Sequence, residues 1–202
     1  MGNLDDALAA RHLLNPVTVV AESEARLERL QPEARAAFAA LCAQKLMDAH
    51  LRLPKSEQRP FTVSWAPVLR VIWTGLEAPD SSSAKATVQD YLNAFYEGPF
   101  NHNQDGPPDA DDDAVACSIY AAQAFCRGDA KSARWAANRM IDATDAILQA
   151  EYDGPPQSLV EEFAHPTIQA DVNRLLMALK MLESQPWTPT MISKLRDAFY
   201  RG

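Results

Sequence analysis

A chain of 202 residues, 47% of them hydrophobic, suits one domain that buries about 70% of the surface its unfolded form exposes. Its net charge of −8 and pI near 5.0 argue against DNA or RNA as a partner, because phosphate binding needs clustered Lys and Arg. A basic protein suits that charge better, although an acidic balance also serves simply to keep molecules apart in solution.

Taken in order, the chain starts with Asp5 and Asp6 where a signal peptide would be basic and then apolar, and no segment approaches about 18 uncharged apolar residues. A soluble, cytoplasmic protein is expected. Asp5 to Leu14 is weakly helical, Asn15 and Pro16 break it, and the β-branched run Val17 to Val20 reads as extended. With no second run to pair with, residues 1–21 are expected to form an N-terminal arm.

Glu22 to Leu30 follows as a helix with Leu27 and Leu30 on one face. Pro32 fits the first turn of the next helix, Glu33 to Ala49, whose stripe is Phe38, Leu41, Cys42 and Leu46. Leu51 to Phe61, holding Pro54 and Pro60, reads as a loop. Ser64 can cap a helix with Pro67 in its first turn and Val68, Leu69, Ile72, Trp73 and Leu76 on one face, ending at Gly75 and Pro79. Trp65 and Trp73 fall nearly on one side, which reads as core in preference to a ligand platform. Ser83 opens a helix to Glu97 with Val88, Tyr91, Leu92 and Phe95 inward.

Gly98 to Pro108 is the least helical stretch. The run Asp109, Asp111, Asp112, Asp113 then supplies acceptors and negative charge at a helix start, where backbone N–H groups lack partners. Val115, Ile119, Ala122 and Cys126 form one side of this helix, which stops at Arg127 and Gly128. Asp129 caps the next, with Ala133, Ala137, Met140, Thr144 and Ile147 along a stripe that ends before Asp153, Gly154, Pro155 and Pro156. So short a turn makes the pair antiparallel, and its small Ala and Cys residues mark it as the interior hairpin on which the others pack.

A short helix around Leu159 to Phe163 leads to His165 and Pro166. Ile168, Val172, Leu175, Leu176, Leu179 and Leu182 give the longest apolar stripe, and Thr188 and Pro189 open a terminal helix docked by Ile192, Leu195 and Phe199. The expectation is an all-α single domain of about eight helices, a compact bundle around a central antiparallel hairpin, with no internal repeat.

Three cysteines without a CxxC or Cys/His ligand spacing read as small buried thiols in a reducing compartment. Cys117 and Cys126, nine residues apart, lie on opposite faces of one helix. No Gly-rich phosphate loop, Ser elbow or Cys/His pairing supports nucleophilic or nucleotide chemistry, so no catalytic residue and no cofactor are assigned. His165 reads as a residue at a helix start in preference to a catalytic base; His12 and His50 have no acidic or cysteine partner close in sequence.

One constellation stands out. Glu97, Asp105, Asp109, Asp111, Asp112 and Asp113, with Asn101, His102 and Asn103, occupy a stretch without a single Lys or Arg. Three readings fit it: helix capping on a solvated face, a contact surface for a basic partner, or a Ca²⁺ or Mg²⁺ site. The spacing departs from an EF-hand loop, since Gly106 precedes the acids, and no paired Glu-x-x-Glu helices of a metal-dependent nucleotide hydrolase appear.

Several segments together resemble a family of bacterial proteins of unknown function typified by YjaG. They are Arg26-Leu27-Glu28-Arg29-Leu30 with Ala37-Phe38-Ala39-Ala40-Leu41-Cys42, then Val71-Ile72-Trp73, then Asp112-Asp113-Ala114-Val115-Ala116-Cys117, then His165-Pro166 with Gln169. The resemblance implies a small, acidic, all-helical protein and brings no catalytic residues.

The expected function is therefore a non-catalytic protein-binding domain, in its sharper form an immunity protein that masks a basic toxin through Glu97, Asp105, Asp109, Asp111, Asp112 and Asp113. The alternatives are a metal-binding protein or metal-dependent enzyme using the same 97–113 cluster, and a homo-oligomer built on Trp187, Phe199 and Tyr200.

Overall fold

The computed structural model describes residues 4–97, 110–154 and 158–201, with backbone only at 110–112 and 201. The elements are α1 (Leu4–Ala9), α2 (Pro16–Leu27), α3 (Pro32–Arg52), α4 (Pro60–Val63), α5 (Ala66–Glu77), α6 (Ser82–Glu97), α7 (Ala110–Arg127), α8 (Ala130–Glu151), α9 (Leu159–Phe163), α10 (Pro166–Glu183) and α11 (Met191–Arg201). No strand occurs among the described residues, and no described helix is long and apolar enough to cross a membrane.

The antiparallel pair α7–α8 forms as expected, but it shares the centre with α3. Every residue from Ala36 to Ala43 is buried, so α3 is enclosed on all sides across two turns. It packs against α7 and α8, where Ala114, Ala121, Ala122 and Ala124 of α7 and Ala133, Ala136 and Ala137 of α8 are buried as well. Side chains this small let three helix axes approach closely with little rotamer entropy lost on packing. Helices α2 and α10 cover α8, α5 and α6 cover α7, α11 packs on α10 and α3, and α1 lies against α9.

The β-branched run Val17–Val20 is helical, contrary to the extended arm expected for residues 1–21. The Asn15 side chain accepts the Val17 N–H at 3.0 Å and Pro16 fits the first turn, while Val19, Val20, Ser23 and Leu27 bury one face. Burial of that face outweighs the few tenths of a kcal/mol by which valine disfavours a helix. Residues before it also belong to the bundle: Leu8 is buried, and Gln169 of α10 holds Leu14 by both backbone groups, at 3.0 and 2.7 Å.

Three further expectations change. Helix α5 runs through Gly75, where a Cβ would stand 2.5 Å from the Phe125 ring and 2.7 Å from Ala84; the glycine marks close packing instead of an end. Tyr91 and Ile147 face outward. Phe199 is buried against the core, so it is not available as an oligomer contact, while Tyr200 is exposed. Trp65 and Trp73 are core residues, the latter donating its indole N–H to Gln44 at 3.1 Å. Burial pushes the Cys42 and Cys117 thiols well up, as expected of inert apolar groups; Cys126 is only half-buried.

Two polar devices lock the bundle. Gly128 turns α7 into α8 with φ 67°, and a Cβ on it would lie 2.7 Å from Pro32 at the start of α3. Arg35 donates to Leu27 O at 2.8 Å, Glu28 O at 2.7 Å and Gly128 O at 2.7 Å, so one guanidinium satisfies the end of α2 and the hairpin turn. On the other side, the wholly buried Asp171 of α10 accepts from Lys45 of α3 at 2.6 Å, Thr144 of α8 at 2.6 Å and Arg174 at 2.7 Å.

Gly128→Ala should destabilise the fold by about 1–2 kcal/mol from the left-handed backbone alone, and by more with the Pro32 contact, as read by urea denaturation. Asp171→Ala leaves Lys45 and Arg174 facing each other without their carboxylate, for a loss near the lower end of about 3–5 kcal/mol in the same measurement, because both cations keep some solvent.

Candidate functional site

The tight turn at Gly128 sets the two hairpin helices side by side, so the first turn of α7 lies level with the later turns of α8. Asp113 of α7 accordingly meets Arg139 of α8 at 3.2 Å, and Arg139 also reaches Asp142 at 4.0 Å. This end of the hairpin gathers the acidic start of α7 with Asp142, Asp145 and Glu151 of α8, and the short helix α9 adds Glu161 and Glu162.

Between α8, α9 and the start of α10 is a cavity of about 500 Å³ lined by Asp145, Leu148, Gln149, Glu151, Tyr152, Glu162 and His165. No Lys or Arg is among those residues. At its back Asp145 takes the Gln149 amide on Oδ2 at 2.8 Å, while its Oδ1 is buried with no donor. Glu162 faces it from α9. Burial raises the Asp145 carboxyl, offset in part by a hydrogen bond from Glu162; burial, the Asp145 charge and that same bond all raise Glu162. One turn up α8, burial also raises Asp142, against the lowering charge of Arg139 and the Asn138 amide at 2.6 Å.

The lip of the cavity is set differently. Ser158 and Glu161 form a reciprocal cap on α9, the Glu161 carboxylate accepting the Ser158 N–H and O–H at 3.0 Å each, which lowers it below the ordinary range. His165 caps α10, its Nδ1 accepting the Thr167 N–H at 3.3 Å, as its position before Pro166 suggested. Tyr152 in the cavity wall is 45% exposed, and Leu159, in the first turn of α9, is 57% exposed. Such a hollow can hold a proton or receive a cationic group. It presents no activated nucleophile.

The acids expected to make contact divide. Glu97 is exposed at the end of α6. Asp111 and Asp112 lie in the first turn of α7, their side chains outside the described residues, as are Asp105 and Asp109 altogether. Asp113 is buried and paired with Arg139, so it fastens α7 to α8. Among the described residues no three His, Cys, Asp or Glu stand close enough to hold a metal ion. Asp145 and Glu162 are absent from the sequence-based set because they belong to separate helices joined across Gly154, Pro155 and Pro156, and nothing local signals that they meet.

Asp113→Asn should cost about 1–2 kcal/mol by weakening the buried contact to Arg139, whereas Glu97→Gln should move stability by less than about 0.5 kcal/mol; paired urea titrations separate the structural acid from the surface one.

No family model matches the chain, and no curated protein matches it. Among solved structures, it is similar to the crystal structure of a DUF416 family protein from Shewanella baltica, with a TM-score of 0.61 over 88% of this chain and 93% of that one, at 15% sequence identity. At that identity the likeness is one of fold: an all-helical bundle shared with a family whose role is uncharacterised.

Proposed function

We propose that this chain is a non-catalytic protein-binding domain of the YjaG-like kind, which receives a basic partner at the acidic end of the α7–α8 hairpin, and that the partner is a toxin it neutralises. The observation that carries the reading is the cavity: Asp145, Glu151 and Glu162 line it, none of its described lining residues is a cation, and the exposed Tyr152 adds apolar surface to its wall. A lysine or arginine side chain entering between those carboxyls would gain charge-assisted hydrogen bonds, and its neighbours would cover Tyr152 and Leu159. Glu97, Asp111 and Asp112 add long-range attraction that speeds encounter, in keeping with the net charge of −8. The uncharacterised family of the structural neighbour is compatible with this reading.

The test is retention of host proteins on the tagged chain, compared with an Asp111→Asn, Asp112→Asn, Glu151→Gln variant of unchanged stability. One basic protein held by the wild type, lost from the variant and eluted by salt is expected, and that protein expressed alone should arrest growth unless this chain is co-expressed. Equal retention by both forms would remove the acidic end as the contact; a captured protein without toxicity would make the domain an adaptor.

A further inference from the structure

We propose that Asp145 and Glu162 form a proton-closed latch that holds α9 down on α8 and thereby controls the opening of the cavity between them. The inference concerns this chain alone and needs no partner.

Two carboxyl groups that share a partly buried hollow with no cation beside them either share a proton or separate. The surroundings decide which. From α8 the pair is faced by Asp142, Gln149 and Glu151, from the helix end by Tyr152, from α9 by Glu161 and from α10 by His165. Glu161 is occupied by Ser158 and lies toward Arg11, and Arg139 is committed to Asp113 and Asp142. No Lys or Arg among the residues lining the cavity offers a neutralising charge. With the proton in place, Glu162 donates to Asp145 and satisfies the buried Oδ1. Once it leaves, two anions are pressed together with nothing between them.

The element that yields is α9. It has no buried residue of its own, against the deep apolar stripes of α8 and α10. Apart from the latch it is tied by Gln169, whose amide donates to Phe163 O at 2.7 Å, and by its packing against α1. Local opening is cheapest where little apolar surface must be exposed. The sign follows: both carboxyls are raised above their ordinary values in the folded state, by burial first, so the contact is whole in the ordinary carboxylate range and is lost as pH rises through the raised values. At higher pH Glu162 turns to solvent, α9 lifts, and the hollow gains a second full negative charge.

Amide hydrogen exchange of the full chain, expressed as protection factors so that intrinsic rates cancel, reads this directly for residues 159–164 between pH about 4 and about 8, the span from ordinary carboxylates past an ordinary imidazole. Wild-type protection should fall by about tenfold or more with rising pH, one pKa unit of differential interaction being tenfold. Glu162→Gln, whose amide donates at every pH, should keep α9 protected throughout, and Asp145→Asn should do the same by donating in the other direction. His165→Asn, which preserves the cap but not the imidazole, should behave as wild type. A flat wild-type profile, a fall that persists in both amide variants, or one abolished by His165→Asn would overturn the latch. Global unfolding as its cause is checked in the same data by Ile168–Leu182, whose protection should not follow pH.

Discussion

The bundle depends on one meeting point, where the turn between α7 and α8 rests on the start of α3. Gly128 presents a left-handed backbone without a Cβ, which is the only way Pro32 can sit 2.7 Å from where that Cβ would be. Arg35 then binds the Gly128 carbonyl and the last carbonyls of α2 together. Three chain segments are thereby fixed lengthwise at one end of the molecule. Everything at the far end inherits that register, including the pairing of Asp113 with Arg139 and the position of Asp145 beneath α9.

Close packing along that register is made possible by alanine, and it has a consequence for specificity. A core of small residues has few large knobs to prevent one helix sliding past another, so shape alone distinguishes registers weakly. Asp171 offsets this. A carboxylate with no solvent must find its donors; Arg174 lies one turn along the same helix, and only one placement of α10 brings Lys45 and Thr144 to it as well. The glycine turn and the buried carboxylate thus specify the same arrangement from opposite sides.

The same rule that makes Asp171 a structural residue makes the α8–α9 cavity a functional candidate. Both are places where carboxyl groups are drawn out of water, but Asp171 has two cations within hydrogen-bonding distance, and Asp145 and Glu162 have each other. A buried acid that is satisfied holds a fold together; a half-buried pair that lacks a cation has affinity to spare.

The sequence by itself determined the helices and most of their inward faces. Period-3.6 stripes, prolines at first turns, Asp129 as a cap and the Arg127-Gly128 stop are local signals, and the local hydrogen bonding that they encode forms regardless of partner. It also determined the antiparallel hairpin, since a turn that short allows nothing else. What it misjudged was decided by burial: Val17–Val20 is helical because its face is covered, Gly75 is glycine for want of room beside Phe125 and not to end a helix, and Asp113 turns inward to Arg139 although it stands in a run of acids that read as surface. The cavity was legible least of all. Asp145 and Glu162 meet because tertiary packing brings α8 and α9 to the wall of one cavity, and a pairing between groups on separate elements has no signature along the chain, only in the energy of bringing two charges into one low-dielectric place.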